Sequence, residues 1–87
     1  MTVDYKITFA KSARKELASL NSAMVNRIVP KIESLSYEPR PIGCRKLKGA
    51  KNLWRIRIGD YRVIYAVYDV GRIVDVTAVR LRGKAYE

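Results

Sequence analysis

Apolar and polar positions follow two different periods along this chain, and the switches between them predict its elements. Val3-Asp4-Tyr5-Lys6-Ile7-Thr8-Phe9 alternates with period two, which predicts a strand with one solvated face. The period then lengthens. Ala13, Leu17 and Leu20 fall at i, i+4 and i+7, which predicts a helix with Ser12 as its cap. A second helix is predicted from Asn21 or Ser22, with Met24, Val25, Ile28, Val29, Ile32 and Leu35 on one stripe. Pro30 lacks the N–H that its turn requires, but the stripe keeps its spacing on both sides, so a kink is expected rather than a break. A tight turn between the two helices predicts an antiparallel pair.

Pro39-Arg40-Pro41-Ile42-Gly43 reads as loop and leads into the basic stretch Arg45-Lys46-Leu47-Lys48-Gly49-Ala50-Lys51. Period two then returns in Leu53-Trp54-Arg55-Ile56-Arg57-Ile58. Gly59-Asp60 signals a two-residue turn, and Tyr61 to Val70 is a long β-branched and aromatic strand. A further turn at Val70-Gly71 opens the strand Ile73 to Val79. Strand, two helices and a three-strand meander make an α+β domain, with the helices on one face of one sheet. At 87 residues the chain allows a single domain, spanning 1–87.

Alternation places Trp54, Ile56 and Ile58 on the face under the helices, and Arg55 and Arg57 on the other. A two-residue turn at Gly59-Asp60 sets Arg57 directly opposite Arg62. Like charges facing each other across strands cost something like 0.2–1 kcal/mol, so folding alone does not favour this arrangement. Three guanidiniums on one patch, each with a planar fork of donors, form a site for phosphate. The plainer reading is a solvated face neutralised by Asp60, Asp69 or Asp75. The opposed pair and the neighbouring basic loop favour the anion site. Arg80 and Arg82 join this face if the second hairpin has an odd loop or a bulge; a two-residue Val70-Gly71 loop turns them away.

The charge balance strengthens the anion reading. Lys and Arg number 18 against 8 Asp and Glu, a net charge of +10, and residues 40–87 hold 12 of the basic side chains with only 4 acidic ones. Such self-repulsion points to a polyanionic partner. The chain has no histidine and one cysteine, Cys44, which excludes internal disulfides, Cys/His zinc sites and Ser–His or Cys–His nucleophile pairs. No apolar run reaches the roughly 18–20 residues of a membrane helix, and the first segment lacks a secretory h-region, so a cytoplasmic protein without membrane contacts is expected. Trp54 reads as a core anchor, and Cys44 as a small loop or core residue. Tyr86 has two readings: a tail residue docked on the domain, or a phenol drawn toward tyrosinate by nearby guanidiniums.

The chain resembles the RelE/ParE superfamily of bacterial type II toxin–antitoxin toxins over nearly its whole length. The resemblance lies in the opening strand with its Ala-Arg-Lys-Glu-Leu helix, in Lys46-Leu47-Lys48-Gly49, in Trp54-Arg55-Ile56-Arg57-Ile58-Gly59-Asp60-Tyr61-Arg62-Val63-Ile64-Tyr65, and in Val79-Arg80-Leu81-Arg82-Gly83-Lys84-Ala85-Tyr86. It implies a fold and chemistry akin to microbial ribonucleases, without metal or other cofactor. A RelE-like member is a ribosome-dependent endoribonuclease that cuts mRNA in the ribosomal A site through attack of a 2′-OH on the adjacent phosphate. By that resemblance Arg55 and Arg57 hold the scissile region, Arg62 and Arg82 neutralise the phosphorane and assist the leaving oxygen, and Tyr86 orients or activates the 2′-OH. Arg45, Lys46, Lys48, Lys51, Arg80 and Lys84 are the expected contacts to RNA and to the A site of the small ribosomal subunit. The resemblance also implies a cognate antitoxin. Two other functions fit the charge: a ParE-like poison of DNA gyrase, and a basic nucleic-acid-binding protein without chemistry.

Overall fold

The alternating segments fold as the strands they predict, and α1 and α2 cover one face of the sheet they form. The computed structural model describes residues 4–81 and runs β1 (Lys6–Phe9), α1 (Lys11–Ala18), α2 (Ser22–Ser34), β2 (Arg45–Lys46), β3 (Leu53–Ile58), β4 (Tyr61–Tyr68) and β5 (Ile73–Leu81). The sheet order is β1-β5-β4-β3-β2, with β1 parallel to β5 and the other pairs antiparallel. A fifth strand therefore joins the four expected ones. β2 comes from the basic stretch read as loop, and pairs Arg45 with Arg55 and Lys46 with Trp54. Two residues are too few to show a period.

The apolar stripe of α2 enters the core as Ile28, Ile32 and Leu35, joined by Ala13 of α1. They meet Ile56 and Ile58 of β3, Val63, Tyr65 and Val67 of β4, and Val74, Val76 and Val79 of β5. Trp54 and Cys44 pack half-buried against the same core. α2 runs unbroken across Pro30. Pro30 is exposed, and so is Asn26, whose carbonyl loses its i+4 donor on the side where water replaces it. The Asn21 side chain accepts from the Met24 N–H at 2.9 Å and caps this helix. α1 starts differently from the expectation. Its cap position is Ala10, which offers no side-chain bond, and Ser12 instead donates to the Thr77 carbonyl at 3.1 Å. No helix among the described residues is long and apolar enough to cross a membrane.

β5 outruns β1 at the C-terminal end, and α1 satisfies the edge left over. The Ala10 N–H donates to the Val76 carbonyl, Ser12 takes the Thr77 carbonyl, and Glu16 accepts from the Val79 N–H at 2.8 Å. Side chains of a helix thus do for this edge what a strand's backbone does further down. The β4–β5 pairing also changes register here. Tyr65 pairs with Val76 but Ile64 pairs with Ala78, so Thr77 is an extra residue, and its hydroxyl donates to the Ile64 carbonyl at 3.1 Å. From that bulge onward every side chain of β5 changes face.

At the opposite end a polar cluster ties the loop after α2 to the β4–β5 turn. Arg40 holds Asp69 with two bonds (Nη1–Oδ1 3.3 Å and Nη2–Oδ2 2.9 Å), and the Tyr5 hydroxyl donates to the same Asp69 Oδ1 at 2.6 Å. The Arg40 bond, then the Tyr5 bond, hold the Asp69 carboxyl below the ordinary carboxylate range. A carboxylate whose pKa is lower folded than unfolded stabilises the fold above its unfolded pKa and loses that effect as the pH falls through its folded value. Wild-type protein should therefore out-stabilise Asp69→Asn near neutrality, and the gap should close below about pH 4 in thermal melts run across pH. An unchanged gap down to that pH contradicts the assignment.

Candidate nucleic-acid interface

The face of the sheet away from the helices carries guanidiniums in rows. Arg57 pairs with Arg62 as the two-residue turn predicts, and the bulge at Thr77 brings Arg80 opposite Arg62 on the other side. Arg57, Arg62 and Arg80 thus stand on three adjacent strands, with Cα neighbours about 4.5–5.5 Å apart. One step along β3, Arg55 pairs with Arg45 of β2 and Ile64 of β4, and Ile64 with Ala78 of β5. The two arginine rows are about 6.6–6.8 Å apart, two residues along a strand. Of the two alternatives open in the sequence, the bulge is the one the fold uses. By contrast, Trp54 lies on the helix face, with the Arg40 guanidinium 5.1 Å over its ring, so it is a packing residue and not part of this surface.

Burial differs sharply within the row. Arg62 is only 7% exposed while Arg57 is exposed, and Arg55 and Arg80 are intermediate. A guanidinium sunk among strands keeps one orientation and lies in a medium where its field is less screened than at the surface. Two of the carboxylates expected to neutralise the row, Asp69 and Asp75, bond to other side chains. Asp69 is engaged by Arg40 and Tyr5, and the Thr8 hydroxyl donates to Asp75 at 2.6 Å. Instead Glu16 of α1 reaches Arg80, with Nε–Oε2 at 2.8 Å. Sequence reading did not single out Glu16. The available signal was a lone acidic residue in a basic helix, four residues after Ser12 and so on the same helix face.

The basic loop after β2 is fastened to this same face. Leu47 and Leu53 pack on Ile64 and Ala78, and the Leu47 N–H donates to the Leu53 carbonyl at 2.8 Å. Lys48 and Lys51 are exposed on this short loop beside the arginine rows. Lys46 departs from the expected cluster: opposite Trp54, it belongs to the helix face, while Arg45 opposite Arg55 belongs to the arginine face. At the far end of β3, the Gly59 turn has φ +61°, a left-handed conformation that calls for glycine, while the Arg27 side chain of α2 whose Nη2 would lie 3.1 Å from a Cβ there is exposed and can shift. Arg82, Lys84 and Tyr86 lie outside the described residues. Among the described residues no three Cys, Asp or Glu side chains come together as metal ligands.

The described surface is an array of oriented cations on a rigid sheet, suited to hold a phosphodiester and to stabilise added charge on it. A family model described as the ParE toxin of type II toxin-antitoxin systems, parDE, matches residues 7–86. The toxin RelE1 of Methanocaldococcus jannaschii is 29% identical over 86 residues, 95% of this chain and 96% of that protein. The archaeal RelE–RelB complex from Pyrococcus horikoshii OT3 contains a chain with a TM-score of 0.81 and 34% identity, covering 94% of this chain and 99% of that one. Isolated Escherichia coli RelE aligns with a TM-score of 0.80 at 26% identity, covering 94% and 88%.

Proposed function

The chain belongs to the ParE toxin family of type II toxin–antitoxin systems, within the RelE/ParE superfamily, and from this we propose that it is a RelE-like endoribonuclease that cuts mRNA in the ribosomal A site. The observation that carries this reading is the row Arg57–Arg62–Arg80 with its central guanidinium buried. In the proposed reaction a 2′-OH attacks the adjacent phosphorus, the P–O5′ bond breaks, and the products are a 2′,3′-cyclic phosphate and a 5′-OH. The 2′-OH proton leaves to a base and a proton reaches the departing 5′-oxygen. Arg62 and Arg82 neutralise the extra charge of the phosphorane, as preorganised donors do in an oxyanion hole. Arg55 and Arg57 hold the flanking backbone. Tyr86 orients or activates the 2′-OH, and with no histidine in the chain it is the best-suited side chain for that task. Charge stabilisation from guanidiniums makes the reaction metal-independent, and a ribosomal substrate places the protein in the cytoplasm.

The partner is a cognate antitoxin, as in the RelE–RelB complex from Pyrococcus horikoshii OT3. An acidic or amphipathic segment of it neutralises the toxin by covering the arginine face or displacing the tail that carries Tyr86. The gyrase reading is disfavoured because relatives and structural neighbours carry the RelE name and because Arg62, Arg82 and Tyr86 are all present. In vitro translation followed by toeprinting tests the choice. A ribonuclease leaves cuts at A-site codons; a gyrase poison leaves translation intact and blocks supercoiling; a plain binder does neither.

Lys48 and Lys51 act in binding and not in chemistry. Replacing both with Ala should lower ribosome affinity and reduce the slope of log K against log salt by about 1 per lost phosphate contact, with the rate on bound ribosomes unchanged. Lys46→Ala should change the slope less, because it faces the other side of the sheet. Filter binding over a salt series, paired with single-turnover cleavage, reads both quantities. An equal loss from Lys46→Ala counts against the two-face assignment.

A further inference from the structure

Glu16 lies on α1, 64 residues from Arg80 in sequence, yet its carboxylate makes two bonds to β5. Oε1 accepts from the Val79 backbone N–H and Oε2 from Arg80 Nε, each at 2.8 Å. We propose that Glu16 is a positioning residue of the RNA-cleaving site: anchored on the β5 backbone, it fixes the orientation of the Arg80 guanidinium at the end of the Arg57–Arg62–Arg80 row. The inference rests on the ribonuclease reading above.

Three guanidiniums on adjacent strands repel one another, and at either end of the row an arginine lowers that repulsion by swinging outward, as Arg80 would at the β5 end. Glu16 opposes that swing. Because Oε1 is tied to the β5 backbone, the place of Oε2 is set by the sheet itself and not by a free rotamer. The Arg80 bond is to Nε, which fixes the plane of the guanidinium and leaves its η nitrogens to other partners. The Arg80 and Glu16 side chains are 41% and 27% exposed, so solvent screens the pair and its contribution to stability is small. What such a pair supplies is orientation.

Two substitutions separate orientation from edge capping. In Glu16→Gln the amide oxygen still accepts from the Val79 N–H, while the counter-charge to Arg80 is gone. The measurement is cleavage of mRNA on programmed ribosomes by wild type, Glu16→Gln, Arg80→Ala and the double variant, with ribosome affinity and thermal midpoint measured for each. Glu16→Gln should slow cleavage about tenfold, while affinity holds or tightens because one negative charge is lost. Its midpoint should stay at the wild-type value, and in the Arg80→Ala background it should cause no further loss. Glu16→Gln cutting at the wild-type rate overturns the inference. So does an equal loss in both backgrounds, or a loss that tracks a lower folded fraction. If wild type itself leaves mRNA intact, the ribonuclease reading fails, and the inference with it; the wild-type lane thus tells the two failures apart.

Discussion

Arg62→Ala should cut A-site cleavage by about 10²–10³-fold, the usual cost of removing one preorganised donor at a developing oxyanion. Arg62 is the central member of the row, with Arg57 on one side and Arg80 on the other, and it is the most buried of the three. Its burial fixes the fork where a neighbouring strand would otherwise let it wander. Two effects on stability oppose each other. Losing the aliphatic stem removes packing, while losing the charge relieves repulsion from both neighbours. The midpoint of thermal unfolding should therefore move by less than about 8 °C, which corresponds to roughly 1–2 kcal/mol in a domain of this size. Arg62→Lys keeps the charge without the fork and should retain intermediate activity, about tenfold below wild type. Single-turnover cleavage on programmed ribosomes, read beside a melt of each variant, checks both statements. A folded Arg62→Ala that still cuts at the wild-type rate removes this arginine from the mechanism. In cells the same variant should relieve growth arrest, as should Arg82→Ala and Tyr86→Phe.

Ile32→Ala should be among the most damaging single changes to the fold. Ile32 is 1% exposed in the second half of α2, just after Pro30, and belongs to the core cluster with Ile28, Leu35 and the buried residues of β3, β4 and β5. Truncating a fully buried isoleucine costs about 2–5 kcal/mol, the transfer of its methyl groups plus the cavity left behind. A small domain has only about 5–15 kcal/mol in all, and each lost kcal/mol lowers the midpoint by about 4–8 °C. The melt should thus shift down by about 8–40 °C. Val29→Ala, on the same helix but half-buried, should cost clearly less. Equal shifts for the two would mean that α2 is not anchored through the Ile28–Ile32–Leu35 stripe.

Much of this architecture can be read along the chain because its information is local. The periods of residues 53–58 and 61–68, with the Gly59-Asp60 turn between them, determine the β3–β4 hairpin and with it the opposition of Arg57 and Arg62. The stripe from Met24 to Leu35 determines which side of α2 is buried, and Asn21 marks its start. Other features leave a weaker trace. In β5 the inward residues are Val74, Val76 and Val79, so the step lengthens from two to three at the bulge. Since Ala78 and Leu81 are also apolar, the pattern tolerates either register.

What the sequence by itself determined is every element except the two-residue β2, the helix-facing sides of β3 and β4, and a basic surface with two arginines in direct opposition. What only the tertiary structure decided is the third column of that surface. Arg80 stands beside Arg62 because Thr77 is spared from the β4 ladder, and it is held there by Glu16 from a helix far away in the chain. The physical reason is that period and turn chemistry act between near neighbours. The register of a long strand, and the carboxylate that meets a given guanidinium, are settled by backbone groups and side chains that come together only when the sheet and α1 pack.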